Sequence, residues 1–194
     1  MTKSFILEMN RKATRSWPVW IVDNHYDFVV HSRTETGDLV SSSKYRFDEQ
    51  SCRKLLEIVS NAAKWAAEMP QRHGLVAVDA IMAVPYFGDK QLSVPHRMAQ
   101  TISAVLGVPD CSNQVQKVKQ TEPAKTTPGA LNPDAYRANL SSAMERVLLV
   151  DDLYSTGATL ESVALCLREA GVHDFVGFCA TKVVYGMRAQ SDDG

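Results

Sequence analysis

The stretch VLLVDDLYSTGATL, residues 147–160, sets four apolar residues before two aspartates and follows them with a turn of small and hydroxylated residues. An apolar run of this length, with turn residues after it, reads as a strand buried on both faces. A helical pattern, LESVALCLREAG, begins at Leu160, and Gly171 stands where helix C-terminal caps favour glycine. The unit is therefore strand, tight turn, helix, with Asp151 and Asp152 at the carboxyl end of the strand. Two adjacent carboxylates in that place repel each other and are costly to desolvate unless something binds them.

In a βα unit, a loop of small residues running into a helix presents backbone N–H groups at the positive end of the helix dipole, a setting that suits phosphate. Ser155, Thr156, Gly157, Ala158 and Thr159 form such a loop here. Their hydroxyls add donors, and Gly157 permits close backbone approach or a positive φ. Just before the loop, Asp151 and Asp152 offer paired acceptors. A ligand with a phosphate at one end and vicinal hydroxyls a few ångströms away satisfies both halves, and a ribose 5-phosphate is such a ligand. Response-regulator receivers also place an acidic pair after an apolar strand, but theirs closes the first strand, whereas here most of the chain precedes the pair. An ordinary βα turn with a helix-capping aspartate accounts for one carboxylate, not for two followed by a hydroxyl-rich loop.

Outward from this unit, DFVGFCATKVV (174–184) reads as a following strand, and DAIMAVP (79–85) as a preceding one. FDEQSCRKLLEIVSNAAKWAAEMP carries apolar residues at helical spacing, with Asp48 or Ser51 as N-cap and Pro70 closing it. PHRMAQTISAVLG is a second amphipathic helix, stopped by Gly107. Strands alternating with helices predict parallel βαβ units, an α/β sheet covered by helices, with ligands beyond the carboxyl ends of its strands. Between residues 18 and 47, VWIVDNHYDFVVHS and LVSSSKYRF flank the turn signal TETGD, which predicts a β-hairpin. Residues 107–146 hold four prolines, several lysines and few large apolar residues. NQVQKVK reads as a short strand there, and TEPAKTTPGALNPD as a long loop of the functional kind.

The composition, 45% hydrophobic and 22% charged with a formal net charge of −1, fits a globular α/β domain and argues against nucleic acid as a bulk electrostatic partner. No stretch reaches the roughly 18 apolar residues of a membrane span, and the apolar run in MTKSFILEMNRK is too short for a signal peptide. Cys52, Cys111, Cys166 and Cys179 are far apart without a C-x-x-C pair, which predicts reduced structural thiols and a cytoplasmic setting.

Residues 147–159 closely resemble the phosphoribosyl pyrophosphate (PRPP) binding motif of type I phosphoribosyltransferases: four apolar residues, two acids, two variable residues and a small-residue loop ending in threonine. The resemblance implies that Asp151 and Asp152 hold the ribose 2- and 3-hydroxyls, and that Ser155 to Thr159 bind the 5-phosphate. It implies a pyrophosphate-binding loop after the preceding core strand, where Pro85, Tyr86, Phe87 and Gly88 match by position, with a cis peptide ahead of Tyr86 as one form of that loop. It also implies a polar loop with basic residues over the reacting centre, matched by residues 117–137. Lys117, Lys119, Lys125 and Arg137 are its candidates for neutralising pyrophosphate, with Lys119 expected in PRPP binding and Lys125 expected, like Asp151 and Asp152, in catalysis. Mg2+ is the implied cofactor, reached by Asp151 and Asp152 indirectly through PRPP hydroxyls or water.

SKYRF and VKQTEPAKTTPGALNPDAYRANLSSAM further resemble the ComF-like branch, whose N-terminal zinc ribbon has no C-x-x-C counterpart in this sequence. Residues 1–47 are expected as a β-rich hood segment, 48–185 as the transferase core and 186–194 as a polar tail. In the hood, Trp17, Trp20, His25, Tyr26 and Phe28 are either core residues or surfaces on which a base stacks. Enzymes acting on 6-oxopurines carry an aspartate at the first position of the phosphate loop, where this chain has Ser155, a poor general base without an activating partner. The expected partners are PRPP and an unidentified acceptor, with a second copy of the chain as a candidate homodimer partner and no membrane. Rival readings are a regulator that binds PRPP without transferring anything, and a ComF-like DNA-uptake accessory protein.

Overall fold

A computed structural model describes residues 6–10, 12–13, 17–27, 32–68, 77–87, 93–121 and 130–183. The chain begins with an antiparallel hairpin, β1 (Ile6–Met9) on β2 (Pro18–Asn24), with Leu7 opposite Trp20. Two short strands, β3 (Tyr26–Asp27) and β4 (Ser32–Arg33), pair beside the helix α1 (Glu35–Tyr45). α2 (Glu49–Glu68), β5 (Ala80–Ala83) and α3 (Val94–Leu106) follow. β6 (Val115–Lys117) and β7 (Tyr136–Ala138) make a separate antiparallel ribbon. The chain then returns to the centre through β8 (Arg146–Tyr154), α4 (Ala158–Glu169) and β9 (Asp174–Lys182).

The central sheet has the order β1-β2-β9-β8-β5. Every neighbouring pair except β1 with β2 is parallel. β8 and β9 are buried nearly throughout, as unbroken apolar runs in the middle of a parallel sheet must be. Side-chain alternation splits the core in two. Val147 and Leu149 pack with Val163 and Leu167 of α4, while Leu148 and Val150 pack with Val59 of α2 and with Met98 and Ile102 of α3. The fold is the expected helix-covered, mostly parallel α/β sheet with a small N-terminal hairpin.

The hairpin differs in its parts from the sequence reading. LVSSSKYRF supplies the C-terminal two-thirds of α1 rather than a strand, and TETGD is the start of that helix rather than a hairpin turn. Thr34 caps it, its Oγ1 accepting the Gly37 N–H at 3.0 Å, and Glu35 and Asp38 lie in the first turn, where negative charge suits the dipole. Gly37 is needed because a Cβ there would lie 2.3 Å from the His25 carbonyl oxygen. Capping and burial of Leu39 and Val40 thus outweigh the weak β preference of the run's serines and valine. β2, moreover, pairs with β9 in the main sheet, so the N-terminal segment shares the core of residues 48–183.

The expectations for Asp48, Gly107 and NQVQKVK stand. Asp48 caps α2, accepting the N–H groups of Gln50 and Ser51 at 3.2 Å each. Gly107, at φ 67, ends α3. The short strand in NQVQKVK is β6. All four cysteines are free and buried. Pro70 and the tail 186–194 lie outside the described residues. Among the described residues, no helix is long and apolar enough to cross a membrane.

Candidate functional site

The carboxyl ends of β2, β9, β8 and β5 meet at one edge of the sheet. β8 continues two residues beyond Asp152, pairing Tyr154 with Lys182 of β9, so the acid pair is inside the sheet rather than in the loop. Asp152 is 2% exposed and Asp151 8%. Alternation turns the two carboxylates to opposite faces: Asp151 toward the α4 side and Asp152 toward α1. The Asp152 backbone N–H donates to Asp151 Oδ1 at 2.9 Å. Burial, and then the charge of Asp152, holds the Asp151 carboxyl well above the ordinary carboxylate range.

Asp152 is held by two groups from distant elements. Lys44, in the last turn of α1, places Nζ 2.8 Å from Oδ2 and 3.1 Å from Oδ1. The Tyr86 hydroxyl donates to Oδ2 at 3.0 Å. Burial alone would lower the Lys44 pKa, but the carboxylate and the phenol beside it outweigh burial and raise it. The Lys44 ammonium also lies 5.3 Å from the centre of the Tyr86 ring. Burial and then the two acids push the Tyr86 phenol up, so it stays a donor. One step further along the edge, the buried Thr181 links Asp152 to His25, since its Oγ1 lies 3.4 Å from the Asp152 carbonyl oxygen and 3.1 Å from His25 Nδ1.

Ser155, Thr156 and Gly157 form the turn between β8 and α4. Gly157, the N-cap residue, sits at φ 81, where a side chain would be strained. Its carbonyl accepts the Glu161 N–H at 3.0 Å and starts the helix, while Thr156 Oγ1 accepts from the Ala158 N–H at 3.3 Å. Thr159 is exposed in the first turn. The small-residue turn of the motif therefore opens α4.

Pro85, Tyr86 and Phe87 leave the end of β5, tied by the Val84 N–H to the Val150 carbonyl at 2.8 Å. Among the described residues no peptide bond is cis, so the bond ahead of Tyr86 is trans, and the cis form weighed for that loop is absent. Phe87 is half exposed and bridges in parallel to Lys117. That bridge brings Lys117 beside the loop, on the Asp151 side. Burial lowers the Lys117 ammonium pKa, and the Asp151 charge opposes the shift. Lys119 and Arg137 are exposed on the β6–β7 ribbon and its continuation, and Lys125 and Gly88 lie outside the described residues.

The aromatic residues of the N-terminal segment divide. Trp17 and Trp20 are core residues, against Phe175 at 6.0 Å and Trp65 at 5.7 Å between ring centres. Tyr26 is exposed beside His25, with ring centres 5.1 Å apart, near the open edge of the sheet, and Phe28 lies outside the described residues. Lys44 is the residue that the sequence reading missed. The only signal was SKYRF, quoted for its family resemblance, and nothing local ties that lysine to an aspartate 108 positions away.

The acid pair at the end of a central parallel strand, followed by a glycine-capped helix start, is the arrangement that the resemblance to type I phosphoribosyltransferases implies. Over 183 residues the chain is 26% identical to competence protein F of Haemophilus influenzae, covering 84% of this chain and 72% of that protein. A purine phosphoribosyltransferase from Pyrococcus horikoshii is a structural neighbour at 15% identity, with a TM-score of 0.36 over 71% of this chain and 88% of that one. No protein-family model matches the chain.

Proposed function

We propose that the protein is a phosphoribosyltransferase that takes PRPP and moves its ribose 5-phosphate to an acceptor, releasing pyrophosphate. The observation that carries this is the placement of Asp151 and Asp152 immediately before the Ser155–Gly157 turn that opens α4. The carboxylates accept the ribose hydroxyls, and the N–H groups and hydroxyls of residues 155–159 hold the 5-phosphate. Displacement at the anomeric carbon builds positive charge on the ribose ring, which buried carboxylates at the diol side stabilise. Lys117, Lys119 and Lys125 are the proposed partners of the departing pyrophosphate.

Mg2+ fits this donor set in one way. Among the described residues no cluster of three or more acids, histidines or cysteines forms a cage for a metal, whereas Mg2+ is commonly held by one or two carboxylates together with substrate phosphates. Asp151 and Asp152 would hold it through ribose hydroxyls or water, and its chemistry is neutralisation of pyrophosphate charge.

A second reading, a PRPP-binding protein that transfers nothing, is favoured by Ser155, which leaves the first loop position without a base for the acceptor. One experiment separates the two. Purified protein incubated with PRPP and Mg2+ is screened against purine and pyrimidine bases for pyrophosphate release. Release dependent on one acceptor supports the transferase, and binding of PRPP without release for any base supports the regulator.

A further inference from the structure

Asp152 has no free face toward solvent. Its carboxylate is 2% exposed, and both oxygens are already engaged, Oδ1 by Lys44 and Oδ2 by Lys44 and Tyr86. A carboxylate offers about four lone-pair positions, so a ribose hydroxyl arriving at Asp152 must share with these donors or displace one. The two donors are not equivalent. The Tyr86 hydroxyl rides on a short segment fixed to the sheet by the Val84–Val150 hydrogen bond. Lys44 ends a flexible stem in the last turn of α1, with a quarter of its side chain exposed at the same open edge.

Lys44 is also the one cation that the described residues place in contact with the acid pair. Moving it away without compensation would strand a buried charge, which is strongly unfavourable. A ligand carrying hydroxyls and phosphoryl groups together supplies both replacements: hydroxyls for the carboxylate, and anionic oxygens for the ammonium. A neutral diol supplies only the first.

Resting on the functional reading above, we infer that Lys44 is a ligand-binding residue of this site. In the free protein it is the resident counter-cation of Asp152, and it turns to the phosphoryl oxygens of the ligand when the ribose hydroxyls take over the carboxylate. The pairing thereby favours a phosphorylated ribose over an unphosphorylated one. It also keeps a divalent cation from settling on the acid pair before ligand arrives.

Calorimetric titration of PRPP with Mg2+, and separately of Mn2+ alone, tests this in the wild type, Lys44→Met, Asp152→Asn and the double variant. Lys44→Met is expected to lose roughly 10- to 100-fold in PRPP affinity, the range of one charge-assisted hydrogen bond. It is also expected to bind Mn2+ alone about tenfold or more tightly than wild type, the gain expected when the resident counter-cation of Asp152 is removed. Where Lys44→Met does not fold, the comparison is Asp152→Asn against the double variant, whose further loss of PRPP affinity is expected to be about tenfold or more. A folded Lys44→Met that binds PRPP and Mn2+ as wild type does, or a double variant equal to Asp152→Asn, overturns the role of Lys44. Wild-type protein that fails to bind PRPP overturns the functional reading itself, a result seen before any variant is made.

Discussion

Replacing Gly157 by alanine perturbs the turn between β8 and α4 at one point and in two separable ways. At φ 81 the new residue occupies the left-handed region, which costs an L-residue with a Cβ about 1–2 kcal/mol. The Cβ would also lie 2.0 Å from Asn10 Oδ1 and 3.1 Å from the Tyr154 hydroxyl. Asn10 is 3% exposed, so its side chain has little room to withdraw, and overpacking of this kind costs about 1–3 kcal/mol. The total, about 2–5 kcal/mol, corresponds to a fall of roughly 5–15 °C in Tm for a domain of this size. Asn10 also gives an internal control: among the described residues its buried Nδ2 has no partner, so Asn10→Ala removes a desolvated group at the cost of one hydrogen bond, that of its Oδ1 from the Lys12 N–H at 3.3 Å. Thermal unfolding followed by circular dichroism should show Gly157→Ala strongly destabilised and Gly157→Ala/Asn10→Ala recovering all but the backbone share. A Gly157→Ala protein melting within about 2 °C of wild type would refute the reasoning. So would a double variant in which the two losses simply add.

Burial lowers the pKa of His25 and of His96, with Arg33 and Lys44 acting the same way on His25, Asp152 and Asp38 opposing there, and Asp110 opposing at His96. The folded state thus prefers both rings neutral, so their contribution is complete above the unfolded value of 6.5 and is lost as the pH falls below it. Between about pH 7.5 and 5.5 the wild type should therefore lose more Tm than His25→Gln/His96→Gln, and parallel curves would count against it. With Ser155 at the first loop position, purified protein should release no pyrophosphate from PRPP with guanine or hypoxanthine, and robust guanine-dependent release would overturn that reading of Ser155.

The parts of the fold that were legible are those whose cause is local. The run at 147–150, the small-residue turn and the helix closed by Gly171 each carry their signal within a few residues, and β8, α4 and β9 stand where that signal puts them. α1 was misread because its cap, Thr34, and its first-turn acids, Glu35 and Asp38, sit in the same letters as a turn signal. What decides between the two is tertiary: Gly37 lets the helix start press against the His25 carbonyl, and Thr36 donates to Asp23 at 2.9 Å. The acids of the site were read from their motif, yet their environment was not. Lys44 reaches Asp152 from another layer of the molecule, and the bridge between Phe87 and Lys117 joins two segments that no short pattern connects.

The central claim is that residues 151–159 form a PRPP site, and calorimetric titration of PRPP with Mg2+ into the wild type and into Asp151→Asn/Asp152→Asn tests it most directly. Wild-type protein is predicted to bind, and the folded double variant to bind at least about 100-fold more weakly, since the hydrogen bonds of both acids to the ribose hydroxyls are weakened together. Equal affinity in the two proteins, or no binding by the wild type, would contradict it.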